Sequence, residues 1–373
     1  MSTAKTDSRR MLLLGDARQV HLRRWGDYFA ARGYDVLTAS LEPATGFPTR
    51  FIHIPIPGFL PDAVRYPLAC VKLRRIMADF NPTVVSAHFV PNYGMMAALV
   101  CRSPWVLSAW GSDIMSVPER SAFHRWRTQF VLDRAPWVTS DAQVLTEKIR
   151  SFGYAAERIL TFPYGVDTGA FAPGAPPDQP GPLILSNRKL ESLYRIDVIV
   201  DAFSAVREAL PDAALTIAGD GGEKARLVER AGSSTAVARI RFIGDVTHDR
   251  MPALLREHHI YVSTSPADTT SVSLLEAMAV GLFPIVTDIP ANREWITDGE
   301  NGRLVPPGEA TKLAVAVIDA WRDSELRMRA TARNREIIAS RGRWTESMKA
   351  VHELFDRLCV QASHQDPPHT AHA

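Results

Sequence analysis

The chain predicts an α/β protein of two facing, similarly built domains with a cleft between them, and three observations carry that expectation. Its 373 residues exceed what one hydrophobic core usually supports, so two domains of roughly 150–200 residues each are expected. Short β-type runs alternate with longer helical patterns almost throughout, which favours parallel sheets covered by helices. Near the middle lies FAPGAPPDQPGP, whose Pro and Gly can continue neither a helix nor a central strand.

Taken in order, the strand candidates of the first domain (1–171) are MLLLG, YDVLTAS, RFIHIPI, TVVSAHF, WVLSAW, WVTSD and ILTFPYG. LRRWGDYFAARG, LACVKLRRIMADF and AQVLTEKIRSFG read as helices between them. A linker is expected over 172–182. In the second domain (183–345), LILSNR, ALTIAGD, IRFIGD, IYVSTS and FPIVTD read as buried strands, separated by IDVIVDAFSAVREAL, KARLVERAG, MPALLREHH and SLLEAMAVG. Beyond Pro306 the pattern is helical to about Val360, with 346–360 expected to pack back on the first domain and the polar tail 361–373 expected to be loose. No short-period repeat suggests a solenoid.

Composition narrows the function. A formal charge of +2 from 43 basic and 41 acidic residues is too balanced to point to a nucleic-acid partner. Cys70, Cys101 and Cys359 are far apart, odd in number and without metal-ligand spacing, so they read as core thiols in a reducing compartment. No apolar run approaches the ~20 residues of a membrane span, and MSTAKTDSRR leads into MLLLG without a convincing cleavage site. A cytoplasmic location is expected.

The most informative stretch is SPADTTSVSLLEAMAVG (265–281), which follows IYVSTS. In open parallel sheets, ligands bind where strand carboxyl ends lead into helix N-termini. The first-turn N–H groups of such a helix attract anions, and Ser271, Val272 and Ser273 would present them with no bulky or acidic side chain in the way. Asp268 would stand in the loop above that helix and Glu276 within it. Ser273-Leu-Leu-Glu276 also has capping-box spacing, in which Glu276 would close its own helix start.

The stretch resembles the E-x7-E region of family 4 glycosyltransferases of the GT-B fold, here as Asp268-x7-Glu276 followed by Ala277, Met278, Ala279 and Gly281. GDARQVHLRRW, SAWGSD, FPYGVDT, AGDG, FIGDV and the stretch from DIPANREWI to NGRLV match in the same order, over roughly residues 11–345. The resemblance implies two Rossmann-like domains, the first binding an acceptor and the second a nucleoside-diphosphate sugar. Through it, Glu276 would accept from ribose hydroxyls, Asp268 would hold donor-sugar hydroxyls, and the amides of Ser271, Val272 and Ser273 would meet the diphosphate. A basic pair is also implied after the first strand of the second domain. SNRKLESLYRID supplies Arg188, whereas the later Lys is replaced by Tyr194, leaving Lys189 and Arg195 as substitutes. Asp268 stands where Glu is usual, shortening the reach by roughly 1.5 Å.

On the acceptor side, Gly15 would end the first strand and let the backbone approach the donor, with His21 and Arg24 on the following helix. Trp110 occupies the position of a family His, so that contact does not carry over; Asp113 and His88 remain as polar candidates for catalysis. The family retains the configuration of the transferred sugar, and no metal is implied; the chain lacks a DxD pattern and its histidines are scattered. The competing readings are a sugar-nucleotide epimerase and a non-catalytic nucleotide-sugar-binding protein of the same fold. A dinucleotide-dependent oxidoreductase, prompted by LTIAGDGGEKARL, fails because that pattern is not G-x-G-x-x-G. Finally, PERSAFHRWRTQFVLDRA interleaves Arg120, Arg125 and Arg127 with Phe123, Trp126 and Phe130, as an interfacial helix does and as an ordinary helix with aromatic core contacts also does. Peripheral contact with the inner face of a membrane would favour a lipid-linked or polysaccharide-precursor acceptor.

Overall fold

Thirteen strands, all paired in parallel, form two separate sheets in the computed structural model, which describes residues 9–365 apart from 58, 60, 61 and 235. The first sheet holds β1 (Arg10–Leu14), β2 (Asp35–Ser40), β3 (Arg50–His53), β4 (Val84–His88), β5 (Trp105–Ser108), β6 (Trp137–Ser140) and β7 (Ile159–Thr161), in the spatial order β3-β2-β1-β4-β5-β6-β7. The second holds β8 (Leu183–Ser186), β9 (Ala214–Ala218), β10 (Ile240–Gly244), β11 (Ile260–Ser263), β12 (Phe283–Thr287) and β13 (Arg303–Val305), in the order β10-β9-β8-β11-β12-β13. Each is a Rossmann-like layer. The seven strands expected in the first half and the five in the second all form; β13, three residues inside NGRLV, is too short to show a period of its own.

Burial on both faces explains why the central strands read as continuous apolar runs rather than alternating ones. Leu12 of β1 lies between Leu37 of β2 and Val85 of β4, and all three are at most 2% exposed. The second sheet is built the same way, with Ile184, Ile217, Ile260 and Ile285 buried against helices such as Ile196–Ala209 and Ala310–Arg322.

The chain divides into two compact units, one running to Phe162 and resuming at Met348, the other Pro163–Ser347. The Pro- and Gly-rich stretch 172–182, expected as a linker, belongs to the second unit and is fastened to it. Arg256 donates to the carbonyls of Ala170 and Ala172, Pro177 O bonds the His259 ring, and Pro182 O accepts from Ala214 N. Such segments cannot pair in a sheet, but their carbonyls remain good acceptors.

The last helix, Trp344–Gln365, supplies the first unit with Val351, Leu354, Phe355 and Leu358, all buried. Phe355 sits 5.2 Å from the Phe29 ring and 6.1 Å from Trp25, while Asp356 accepts from Tyr34 Oη at 2.5 Å and pairs with Arg9 at 2.9 Å. The tail expected to be loose is thus helical as far as Gln365; residues 366–373, and residues 1–8 of the leader reading, lie outside the described residues. Truncating Phe355 to Ala removes a fully buried ring packed against Trp25 and Phe29 and is expected to cost about 3–5 kcal/mol, read from urea denaturation. A loss below about 1 kcal/mol would show that the helix is not part of this core.

Candidate functional site

Strand order reverses once in each sheet, between β1 and β4 and between β8 and β11. At such a reversal the two connections leave in opposite directions and open a crevice at the strand carboxyl ends. The predicted site residues of each unit gather at its own reversal.

In the second unit, Arg188 follows β8 and Asp268 follows β11. Arg188 Nη2 donates to Asp268 Oδ2 at 2.7 Å, and Nη1 donates to Ser271 Oγ at 2.5 Å and Ser273 Oγ at 3.1 Å. Tyr261 Oη bonds Ser273 Oγ at 2.8 Å. Tyr194, standing where the second cation was expected, lays its ring 4.4 Å from the Arg188 guanidinium, a cation–π contact. Burial works against the Arg188 charge, but Asp268, Tyr261 and Tyr194 outweigh it and raise its pKa above the usual arginine value. The guanidinium is therefore a fixed cation.

The loop carrying it is set by AGDG. A Cβ on Gly219 would lie 2.6 Å from Arg188 O, and one on Gly221 2.4 Å from Leu190 O. Leu190 N donates to Asp220 O at 3.0 Å and the Leu190 side chain is fully buried. These glycines serve close backbone approach.

The helix Val272–Val280 starts at an N-cap Ser271, whose Oγ accepts from Leu274 N at 3.4 Å. Leu274 is thus the third helical residue, and Glu276 lies two positions too far along to close a capping box with the actual N-cap, Ser271. That alternative falls. The first-turn N–H groups of Val272 and Ser273, both half-buried, have no intrahelical acceptor. Glu276 is 7% exposed, with Oε1 3.8 Å from Nδ1 of His248, whose ring packs 5.3 Å from Phe171. Sequence reasoning missed His248, which sits in an irregular loop after β10 with no motif of its own.

The substitute cations fare differently. Arg195 has a left-handed backbone (φ +47°) and spends its guanidinium on Asp197, at 3.1 Å. That ion pair argues against its use for phosphate. Lys189 is exposed beside Arg188.

In the first unit, Gly15, His21, His88, Trp110 and Asp113 cluster at the β1/β4 reversal. A Cβ on Gly15 would lie 2.8 Å from Leu22 and 3.3 Å from His88, so glycine is needed for packing here. Trp110 Nε1 donates to His88 Nδ1 at 3.3 Å, and His21 meets the Trp110 ring edge-on at 6.1 Å. Because the indole N–H can only donate, His88 Nδ1 is an acceptor and its proton sits on Nε2, which donates to Ser86 Oγ at 2.9 Å. Burial, helped by His21, pulls the His88 pKa down to about 3. Asp113 is 0% exposed, and its oxygens accept from Val90 N and Trp110 N, each at 3.0 Å. Burial outweighs those bonds and pushes its pKa up to about 6. Both were expected as catalytic candidates; in the fold their polar atoms bond Ser86, Trp110 and the Val90 amide.

Among the described residues no three His, Cys, Asp or Glu side chains come together as a metal-holding group, and no helix is long and apolar enough to cross a membrane.

Two family descriptions match the two halves: "Glycosyl transferase 4-like" over residues 10–142 and "Glycosyl transferases group 1" over 171–337. A phosphatidyl-myo-inositol mannosyltransferase of Mycobacterium tuberculosis is 31% identical over 317 residues, 81% of this chain and 82% of its own. Its counterpart in Mycobacterium leprae is 26% identical over 363 residues, 92% of this chain and 94% of its own. The structure of Anabaena HepE in complex with UDP-glucose superposes with a TM-score of 0.77 at 17% identity, over 92% of this chain and 99% of that one, a likeness of fold.

His88 generates a pH prediction. A histidine neutral when folded but titrating near 6.5 when unfolded contributes stability that is present above about pH 6.5 and lost as pH falls toward 3. Asp113, raised to about 6, works oppositely and loses stability as pH rises through 4–6, but it is common to parent and variant. The stability difference between the parent and His88→Gln should therefore shrink between pH 7 and pH 4.5, by roughly 1.4 kcal/mol for each pH unit below 6.5. An unchanged difference would mean that His88 takes up a proton as readily in the fold as in the unfolded chain.

Proposed function

This chain belongs to the family 4 glycosyltransferases and is an enzyme of GT-B fold, and from that premise we propose that it moves a sugar from a nucleoside-diphosphate sugar to an acceptor hydroxyl with retention of configuration. The observation that carries the reading is the fixed Arg188 cation at the β8/β11 reversal, held beside the amides that open the helix Val272–Val280. Two sources of positive potential there suit a diphosphate whose charge grows as the C1–O bond breaks. The acceptor oxygen bonds C1 on the face the diphosphate leaves, and its proton passes to a departing phosphate oxygen. Positioning and phosphate electrostatics do most of the work, and no metal is required. Asp268 orients Arg188 with one oxygen and accepts from Thr269 N with the other, leaving remaining lone pairs for sugar hydroxyls. Glu276 takes the ribose, and Lys189 is the remaining candidate for a second phosphate contact.

Relatives named for mannosylating phosphatidyl-myo-inositol support a lipid-linked acceptor. So does the surface of the first unit. Phe123 and Trp126 on the helix Ala122–Leu132 are 60% and 54% exposed and stacked at 5.8 Å, with Arg127 over the Phe123 ring. The neighbouring helices Met95–Val100 and Asp62–Phe80 expose Leu99 and then Val64, Leu68 and Val71. Apolar side chains among arginines fit the interface of an anionic bilayer on the cytoplasmic side.

Two measurements test these readings. One nucleoside diphosphate should raise the melting temperature of the parent, and Glu276→Ala and Arg188→Ala should each weaken it by at least about tenfold in affinity. Turnover should release free nucleoside diphosphate only with acceptor present, unaffected by excess EDTA. Equal shifts in parent and variants, release without acceptor, or EDTA loss reversed by Mg²⁺ would each overturn the corresponding step. The protein should also sediment with phosphatidylglycerol vesicles but not phosphatidylcholine ones, and the double variant Phe123→Ser, Trp126→Ser should lose that binding. Identical sedimentation of parent and double variant removes the membrane reading.

A further inference from the structure

At the opposite end of the second sheet, away from Arg188 and Asp268, lies a cavity of about 440 Å³, within the size range of small-ligand sites. His259 and Leu282, which line it, immediately precede β11 and β12, so it opens at the strand amino ends. The stretch 174–179 forms another wall, which gives the Pro- and Gly-rich segment a definite surface to shape.

Three guanidiniums line this cavity, Arg256, Arg327 and Arg335, against a single acid, Asp178. None of the three is in an ion pair among the described residues. Arg256 donates to the carbonyls of Ala170 and Ala172, and Arg327 to those of Ala320 and Trp321. Carbonyls satisfy hydrogen bonds without cancelling charge. Burial accordingly pulls Arg327 below the usual arginine range, with only a weaker opposing pull from Asp323. His258 and His259 add no charge, since burial lowers both and their ring nitrogens are committed to Leu254 O and Thr216 and to Leu183 N and Pro177 O. Trp321 completes the pocket, its ring 5.0 Å from His259 and 4.5 Å from the Arg327 guanidinium. Arg335 is exposed at the mouth, its Nη2 2.9 Å from where a Cβ on Gly281 would lie, and Gly281 has φ +111°.

We propose that this cavity is a second anion site, binding a small phosphomonoester whose phosphate meets the Arg256/Arg327/Arg335 cluster and whose organic part lies on Trp321. Planar guanidinium forks suit phosphate oxygens, and a dianion answers a concentration of cations that carboxylates elsewhere on the chain would have neutralised. The site is independent of the donor reading, because every residue in it lies outside the β8/β11 crevice.

Calorimetric titration with glucose 6-phosphate, and separately with inorganic phosphate, tests it in an Arg188→Ala background where the crevice is disabled. Binding should persist there, and adding Arg335→Glu should weaken it by at least about tenfold. Met328→Glu, at a cavity-lining residue 67% exposed and remote from the core, should weaken it in the same direction, so a folding defect at Arg335 cannot hide the result. Glucose 6-phosphate should bind more tightly than inorganic phosphate, and Trp321→Ala should erase that advantage. No binding in the Arg188→Ala protein, or binding that neither added glutamate weakens, overturns the proposal.

Discussion

The contact on which the second unit turns is the bond of the Arg188 guanidinium to Asp268, Ser271 and Ser273. It ties the loop after β8 to the loop after β11, the two segments that the reversal of strand order drives apart. A cation there has to be held from several sides at once. Asp268 supplies charge, the two hydroxyls supply direction, and Tyr194 closes the face of the guanidinium plane. Gly219 and Gly221 then let the β9 loop press against the Arg188 and Leu190 carbonyls, so backbone as well as side chains fixes the group. A preset cation costs little reorganisation when charge develops beside it, which is where electrostatic catalysis obtains its strength.

The first unit uses its own reversal in another way. Its polar residues are turned inward: Asp113 holds two backbone amides, His88 is wedged between Ser86 and the Trp110 indole, and Trp25 packs edge-on against the His88 ring at 4.7 Å. A histidine with both nitrogens committed and its pKa depressed cannot exchange protons near neutrality. In the mechanism proposed above, the acid–base demand of transfer falls on the substrate's own phosphate. Trp110, exchanged for a proton-carrying residue, presents instead an apolar edge backed by His21.

Much of this architecture was readable from residues alone. Buried parallel strands must be apolar on both faces, so they stood out as runs; strand-to-helix junctions with small polar residues, as in SPADTTSVSLLEAM, marked the crevice of the second unit. What escaped was whatever lacked local periodicity. The three residues of β13 borrow their pairing from β12, His248 reaches Glu276 from an irregular loop, and the stretch 172–182 is fastened by carbonyls that no residue pattern announces.

The amino-acid order by itself determined the fold class, the ordered motifs of the family and the placement of Asp268 and Glu276 on one strand–loop–helix unit, because spacing along such a unit is a local property. Tertiary structure alone decided what those groups and their neighbours do. It took Arg195 for Asp197, gave Tyr194 to Arg188, moved the helix cap from Ser273 to Ser271 and sealed Asp113 and His88 inside the first unit. Partner choice and burial depend on segments far apart in the chain, and a charge has its chemistry set by what surrounds it in space.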